Sequence, residues 1–302
     1  MSEISVLNFP RKALLIINPV SGKRAVLRYI PQIIRTLMDA GYLVSTMVTA
    51  RRGEATEFAA RYGADFDLVC CTGGDGTLNE TLTGLAGAGL EVPLGYIPCG
   101  STNDFAVSRH LSPDIPTAAA NVASGRIRRY DVGRFGDRFF SYVAAFGAFS
   151  WLSYTTDQNL KNVLGHTAYI LDGIKDLNKI KPLHLKITAD GQVHEDDYLF
   201  GAVSNSTSIA GTIQLPETLV DLCDGVFEVL LIKEPKTLID LEEAVRALLT
   251  QEYNSALIDL FQARHIVAES SMPLEWTVDG EFPGIYERVE ITPMPGFLQL
   301  QG

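Results

Sequence analysis

The sequence is poor in basic residues, in cysteine and in long apolar runs, and each shortage excludes a class of protein. Lys and Arg total 25 against 36 Asp and Glu, and the net charge of −11 argues against non-specific nucleic-acid binding. None of the four cysteines lies in a CxxC pair, so we expect reduced thiols in a cytoplasmic protein. The apolar runs at 13–17 and 229–232 are far shorter than the roughly 20 residues of a membrane span. Residues 1–10 lack the basic and apolar regions of a signal peptide.

The length of 302 residues suits two domains. With 46% hydrophobic and only 20% charged residues, the chain can form a sizeable core. Strand and helix patterns alternate in the first part of the chain. Predicted strands cover 13–17, 43–48, 67–71 and 93–97, and predicted helices cover 26–38, 54–62 and 79–85. Repeated βαβ units of this kind form a parallel sheet with right-handed crossovers. The first part is therefore expected to be an α/β domain.

From about residue 130 the patterns favour antiparallel β structure. Hairpins are predicted across Gly136-Asp137 and Asp190-Gly191, which are typical two-residue turns. Further strands are predicted at 199–204, 226–233, 265–269, 274–278 and 285–291, and helices at 160–179 and 238–249. The second part is therefore expected to be a mostly-β domain.

The segment 72–80 reads Thr-Gly-Gly-Asp-Gly-Thr-Leu-Asn-Glu and is the most informative in the chain. Its glycines let the backbone turn sharply and approach a ligand closely. It lies between a predicted strand and a predicted helix, where the first amides of the helix favour an anion. Asp75 suits such a site if a bound phosphate arrives with a cation. The pattern indicates a nucleotide-phosphate site; the alternative is ordinary turn chemistry, with Thr77 and Glu80 forming a capping box.

Two more polar turns are predicted at the same edge of the sheet. Residues 18–22 follow the first strand and residues 99–104 follow the fourth. The carboxyl ends of parallel strands lie at one edge, so the three turns would converge where such sheets bind ligands. Taken alone, the turn at 18–22 is better explained as a plain loop, and the Ser, Thr and Asn of the turn after the fourth strand are explained as helix N-caps.

Four motifs, taken in order, resemble the diacylglycerol kinase catalytic domain family, a group of soluble bacterial-type lipid kinases related to sphingosine kinases. The motifs are Asn18-Pro19-x-Ser21-Gly22, Gly73-Gly74-Asp75-Gly76-Thr77-x-Asn79-Glu80, Gly100-Ser101-x-Asn103-Asp104-Phe105-Ala106 and Asp279-Gly280-Glu281. Their order and spacing match the family over nearly the whole chain. Ser101 stands where many members carry Thr, and the hydroxyl is kept.

The resemblance implies an enzyme that uses ATP and Mg²⁺ to phosphorylate a lipid hydroxyl, with diacylglycerol as the first candidate acceptor. It implies an α/β nucleotide-binding domain over 1–130, which 293–302 could complete. An antiparallel β-sandwich domain over 131–292 would take the lipid, with the active site in the cleft. It also implies peripheral contact with the inner face of the membrane, and it leaves a homodimer open. The residues assigned to the ATP site are Asn18, Pro19, Ser21, Gly22, Thr49, Gly73, Gly74, Asp75, Gly76, Thr77, Asn79, Glu80, Ser101, Asn103 and Asp104.

The acidic residues of the second part carry the remaining assignments. By resemblance, the general base is Asp279 or Glu281, and a metal site involves Asp221, Asp224 and Val226. Asp279 and Glu281 are two residues apart at the end of a predicted strand, so continued strand geometry would place both on one side. The residues alone favour a hairpin turn with solvated carboxylates, and Asp224-Gly225 likewise suits a plain turn.

Two other functions stay open from the sequence. An NAD kinase would also carry a Gly-Gly-Asp-Gly turn, but Asn79-Glu80 and the motif at 100–106 follow the lipid-kinase pattern. A nucleotide- or lipid-binding regulator without catalysis is the other alternative, and the intact glycine and acidic motifs argue against it.

Overall fold

The computed structural model describes residues 11–101, 103–147, 182–209 and 213–302. The helix predicted at 160–179 lies outside these residues. Within them, no helix is both long enough and apolar enough to cross a bilayer. All four cysteines are free, and the adjacent Cys70 and Cys71 are both buried.

The chain divides into two compact units. The α/β unit contains the described residues up to Val132 together with Pro295–Gly302. The β-rich unit contains the described residues of Gly133–Met294. This division does not by itself assign the nucleotide-binding and lipid-binding roles predicted for the two parts of the chain.

The α/β unit alternates strands and helices, as the sequence predicts. Its strands are β1 (Arg11–Ile17), β2 (Tyr42–Val48), β3 (Leu68–Gly73), β4 (Leu94–Pro98), the first part of β5 (Ile127–Phe135) and the last part of β15 (Ile285–Gln301). Its α-helices are α1 (Ile30–Asp39), α2 (Glu54–Tyr62), α3 (Asp75–Gly87), α4 (Asp104–Ser108) and α5 (Ile115–Ala123), and 3₁₀ helices cover Ser21–Arg28 and Gly63–Asp65.

The parallel sheet of this unit has the strand order β2–β1–β3–β4, and the end of β15 pairs with β4 in parallel. Ala13, Leu15 and Ile17 of β1 pack in one core cluster with α1 and α5. Leu14 and Ile16 alternate with them and are buried on the opposite face. Burial on both faces explains why β1 reads as a continuous apolar run.

The β-rich unit contains one described α-helix and a set of mainly antiparallel strands. The strands are β6 (Arg138–Phe140), β7 (Val143–Gly147), β8 (Leu183–Ala189), β9 (Gln192–Ser204), β10 (Ser208–Ile209), β11 (Ile213–Gln214), β12 (Phe227–Lys233), β13 (Ile258–Ala263), β14 (Ile266–Val278) and the remaining parts of β5 and β15; the helix is α6 (Leu238–Thr250).

Two long strands organise this unit. Both β9 and β14 pair with β8 through one half and with β7 through the other, so β7, β9, β8 and β14 close a ring of strands. Aromatic side chains fill the core, where Trp276 contacts Phe135 and Phe146 edge to face. Val278 at the end of β14 pairs with Ala144 of β7. The acidic motif after β14 therefore lies beside the start of β7.

Two boundaries differ from the sequence prediction for identifiable reasons. The helix predicted at 26–38 is divided into the 3₁₀ helix Ser21–Arg28 and α1, because Pro31 takes a position in the first turn of a new helix. The strands predicted at 265–269 and 274–278 form the single strand β14. A shift in its pairing with β15 between Glu269 and Leu274 accommodates the intervening Ser-Ser-Met-Pro segment, 270–273.

Candidate active site

The glycine turn joins β3 directly to α3. β3 ends at Gly73, α3 begins at Asp75, and Gly74 between them is extended. The amides of Thr77 and Leu78 donate to the carbonyl of Gly74 at 3.0 and 3.1 Å. The helix thus starts earlier than predicted, and no side chain caps it. The capping-box interpretation of this segment is therefore wrong, and the turn presents the first amides of a helix.

The three polar turns of the α/β unit converge, as predicted. Asn18 donates through its amide nitrogen to the Thr77 hydroxyl at 2.9 Å, and its backbone amide donates to the Thr72 carbonyl at 3.0 Å. From the third turn, the amide of Cys99 donates to the carbonyl of Gly73 at 2.8 Å. The turns after β1, β3 and β4 therefore form one hydrogen-bonded structure around the start of α3.

Close backbone approach at this point requires glycine. A Cβ on Gly100 would lie 2.5 Å from the Cα of Gly74. A Cβ on Gly22 would lie 1.9 Å from the carbonyl oxygen of Cys99, and its φ of +53° is in the left-handed region. The absence of a side chain at these positions lets the turns touch one another and leaves backbone groups at the surface of the site.

Asp75 connects the glycine turn to α4. Its carboxylate accepts from the amides of Asp104 and Phe105 at 3.0 and 3.1 Å. Asn103, at a left-handed φ of 54°, accepts from the Gly100 amide at 2.9 Å through its side-chain oxygen. Burial raises the pKa of Asp75, although the hydrogen bonds from the backbone amides lower it in part. The pKa of Asp104 is raised by burial and by the nearby charge of Asp75. Two neighbouring carboxyl groups would be stabilised by a cation.

Two other residues assigned to the ATP site, Glu80 and Thr49, form hydrogen bonds with neighbouring segments of the unit. Glu80 accepts from the amides of Gly53 and Ala55 at 2.8 and 3.3 Å and so holds the start of α2. The buried Thr49 hydroxyl donates to the Ile17 carbonyl at 3.3 Å. These contacts favour a positioning role for Glu80 and Thr49. The remaining assigned residues lie in the three turns or in the first two turns of α3, namely Pro19, Ser21, Gly76, Asn79 and the exposed Ser101.

The acidic motif of the β-rich unit is a tight hairpin turn. The backbones of Val278 and Glu281 exchange two hydrogen bonds of 2.8 and 2.9 Å. Asp279 and Gly280 between them have φ values of 48° and 80°, which a two-residue Asp-Gly hairpin turn requires. The turn interpretation is therefore correct for the backbone.

The Asp279 side chain, in contrast, is buried and not solvated. It is 3% exposed, and its carboxylate accepts from the Ser141 amide at 2.6 Å, the Ser141 hydroxyl at 2.8 Å, and the amides of Tyr142 and Val143 at 3.1 and 3.0 Å. Glu281 is partly exposed. The two carboxylates that the sequence treats as equivalent therefore have different environments, and Asp279 holds the segment 141–143.

The predicted metal residues lie on a loop before β12. Asp221 accepts from the amide of Cys223 at 3.0 Å, and Asp224 accepts from the amide of Val226 at 2.9 Å. Each uses one carboxylate oxygen in a local turn. Among the described residues, no three His, Cys, Asp or Glu side chains are placed to hold one metal ion directly. The metal assignment of Asp221, Asp224 and Val226 stays a prediction.

Glu228, two residues after Val226, was not among the predicted site residues. It is 1% exposed, and burial raises its pKa to about 7. The charges of Asp224 and Asp221 add to this rise, whereas a hydrogen bond from Gln262 opposes it. A charged residue inside the apolar run 226–232 was the available signal in the sequence.

Comparison with known proteins decides the family. Residues 12–135 match the diacylglycerol kinase catalytic domain, and residues 150–301 match the YegS C-terminal NAD kinase beta sandwich-like domain. A diacylglycerol kinase from Staphylococcus saprophyticus is 33% identical over 276 residues, which cover 91% of this chain and 90% of that protein. The chain belongs to the diacylglycerol kinase family. This confirms the predicted α/β and β-sandwich architecture and the prediction of a lipid kinase.

Further relatives agree with the family assignment. The diacylglycerol kinase of Bacillus subtilis is 32% identical over 279 residues, 91% of each chain. A crystal structure of a candidate diacylglycerol kinase from Bacillus anthracis superposes with a TM-score of 0.79 at 26% identity, covering 96% of this chain and 97% of that one. The similarity therefore extends over both units.

Proposed function

We propose that this protein transfers the γ-phosphate of ATP, in the presence of Mg²⁺, to the free hydroxyl of diacylglycerol at a membrane surface. The observation that carries the proposal is the convergence of the turns at 18–22, 72–77 and 99–104 on the start of α3. The names of the relatives, which are diacylglycerol kinases, support the choice of acceptor.

The converged turns suit the phosphates of ATP. The first amides of a helix have no acceptor within the helix and carry partial positive charge, so they bind anions. Gly22, Gly74 and Gly100 let the three turns pack against one another, which brings their backbone groups to one place beside the start of α3. Bound Mg²⁺ would neutralise charge on the phosphates, and carboxylates such as Asp75 and Asp104 are the oxygen ligands that it prefers. Phosphoryl transfer depends mainly on such positioning and charge stabilisation.

For the general base, the environments of the two acidic residues favour Glu281. A base must reach the hydroxyl proton of the substrate. Asp279 is buried and already accepts hydrogen bonds from Ser141, Tyr142 and Val143. The partly exposed Glu281 is the better candidate to touch substrate, and Asp279 positions the turn that carries it.

The loop after Glu281 supports contact with a lipid. Phe282 and Ile285 are 59% and 54% exposed. The loop is held in shape because Tyr286 donates through its hydroxyl to the carbonyl of Pro283 at 3.2 Å, and its ring packs against Phe135. Exposed apolar side chains on a fixed loop indicate an apolar partner, and a lipid kinase has one in the acyl region of its substrate.

The proposed reaction is tested by transfer of labelled phosphate from γ-labelled ATP to diacylglycerol vesicles, with and without Mg²⁺. We expect a labelled, Mg²⁺-dependent phosphatidate product from the wild-type protein. Label in NADP when NAD is supplied, with none in lipid, would instead establish an NAD kinase. Tight ATP binding without label in any acceptor would support a non-catalytic regulator.

In the same assay, Asp75→Asn is expected to lower turnover on the order of 100-fold, because displacing the reacting groups by about 1 Å can slow a reaction by that factor. The new amide group would face the amide donors of Asp104 and Phe105 with a donor of its own. Asp114→Asn is the matched control, since Asp114 accepts from Thr117 at the start of α5. Equal activity of the two variants would remove Asp75 from the site.

Phe282→Ser is expected to lower the rate on diacylglycerol vesicles about 30-fold, because burying a Phe side chain in an apolar phase contributes about 2 kcal/mol. The rate on a short-chain diacylglycerol dissolved in detergent should change little. Ile239→Ser serves as control, since Ile239 is 76% exposed on α6. A loss of the same size in both assays would show that Phe282 does not act through the lipid surface.

A further inference from the structure

Helix α4 is short, and a buried arginine packs against it. The helix covers only Asp104–Ser108, and a helix of this length is not stable by itself in water. Arg109 follows it directly and is 3% exposed, although arginine is rarely so deeply buried. Its central guanidinium carbon, Cζ, lies over the Phe105 ring at 4.0 Å and over the Tyr130 ring at 5.1 Å. Arg109 therefore makes two cation–π contacts inside the α/β unit.

Hydrogen bonds join Arg109 to the backbone of Phe105 as well. Nη1 of Arg109 donates to the Ser108 hydroxyl at 2.8 Å, and that hydroxyl donates to the Phe105 carbonyl at 3.0 Å. The Phe105 ring also meets the ring of Tyr96 edge to face, with the ring centres 5.9 Å apart. Phe105 is fully buried among these contacts. Arg109 therefore holds Phe105 through both its ring and its carbonyl group.

Phe105 connects this packing to the glycine turn. Its backbone amide is one of the two amides of α4 that donate to the Asp75 carboxylate, at 3.1 Å. The hydroxyl of Tyr96, whose ring contacts Phe105, lies 3.4 Å from both the Gly73 carbonyl oxygen and the side-chain oxygen of Asn103. The packing around Phe105 is therefore linked by direct contacts to the polar turns after β3 and after β4.

We propose that Arg109 is a positioning residue for the ATP site. By packing on Phe105 and Tyr130 it fixes α4, and through the Phe105 amide it fixes the carboxylate of Asp75. The inference rests on the nucleotide role proposed for the three turns. Because Arg109 is buried, it acts through Phe105 and not by touching ATP. Its planar guanidinium suits this position, since lysine carries the same charge but has no planar group to stack on a ring.

The test is the affinity of the full-length chain for ATP with Mg²⁺, measured by isothermal titration calorimetry without lipid and paired with thermal unfolding. Arg109→Lys is expected to weaken ATP binding about tenfold, because it keeps the charge but loses both desolvated cation–π contacts. Phe105→Leu should also weaken binding. The double variant should bind ATP about as well as Phe105→Leu alone, since both changes remove the same contact. Losses that multiply in the double variant would contradict the inference.

Arg11→Lys is the matched control for the loss of a stacked guanidinium. Arg11 lies over the Tyr42 ring at 4.1 Å and donates to the Ala40 carbonyl at 2.6 Å. It is the first residue of β1, at the opposite end of that strand from the turn at 18–22. Its variant should unfold at a lower temperature but bind ATP within about twofold of wild type, because distant sites without shared partners act independently. Equal losses of ATP affinity in Arg11→Lys and Arg109→Lys would overturn the inference.

The same measurements separate failure of the inference from failure of the proposed function. If the wild-type protein binds ATP and Arg109→Lys binds it as tightly, the inference is overturned and the proposed function stands. If the folded wild-type protein does not bind ATP, both are overturned. Should Arg109→Lys fail to fold, Tyr130→Leu removes one of the two rings that the guanidinium contacts. It should still weaken ATP binding, and unchanged affinity would overturn the inference.

Discussion

Glu281→Gln is expected to lower kcat by roughly 10²- to 10⁴-fold, the range that general-base catalysis contributes, while the unfolding temperature stays near that of wild type. Glutamine keeps the size of the side chain but cannot accept the proton of the lipid hydroxyl. Because Glu281 is partly exposed, water can replace contacts that its charge makes, so we expect a small effect on the folded state. The measurement pairs single-turnover phosphate transfer with thermal unfolding.

The control for this variant is Glu287→Gln, an identical change at an exposed position on β15. Its kcat and stability should both match wild type. If Glu281→Gln keeps more than a tenth of wild-type kcat, Glu281 is not the base. The assignment would then return to Asp279, in spite of its burial.

Asp279→Asn is expected to destabilise the protein by about 3 kcal/mol. A buried carboxylate that accepts several hydrogen bonds would be replaced by a carboxamide, whose oxygen accepts but whose NH₂ group donates. At least one amide donor of the segment 141–143 would lose its acceptor. Turnover should fall as well, since the turn that carries Glu281 would shift. Urea unfolding gives the free energy, and phosphate transfer under folded conditions gives the rate.

Asp190→Asn is a closely matched control. Asp190 is also the first residue of an Asp-Gly turn, with a φ of 47°. Its carboxylate accepts from the amides of Arg264 and His265, but the residue is exposed, so water can replace lost contacts. We expect a loss of under about 1 kcal/mol. Equal destabilisation by both variants would mean that burial of Asp279 contributes little to stability.

Much of the fold was accessible from local patterns. The alternation of apolar runs and helical spacing predicted β1 to β4 and the helices between them, since a buried parallel strand and an amphipathic helix leave distinct periods. The Asp190-Gly191 hairpin was predicted from turn chemistry, and the structure has it between β8 and β9. Boundaries failed where local signals conflicted, as at Pro31. They also failed in β14, where a shift in pairing lets one strand continue through the Ser-Ser-Met-Pro segment at 270–273.

The candidate site could be predicted only in part from local sequence patterns. The three turns were predicted to converge because strand direction alone brings their carboxyl ends to one edge. The structure gives Glu80 and Thr49 partners on neighbouring segments, Gly53 and Ile17, that no local pattern links to them. The sequence shows Glu228 as a single acid in an apolar run, but its burial beside Gln262 of β13 follows only from the pairing of the strands.

By itself the sequence determined the parallel sheet, the position of the glycine turn and the resemblance to the family, because these depend on the order of residues along the chain. Only the tertiary structure distinguished Asp279 from Glu281. Two residues apart, they look equivalent in the sequence. Ser141, which is 138 positions from Asp279 in the chain, donates to Asp279 through its amide and its hydroxyl. Burial and hydrogen bonding are set by contacts between distant segments, so only the folded structure shows that the Asp279 carboxylate is buried and holds the segment 141–143, whereas Glu281 is partly exposed.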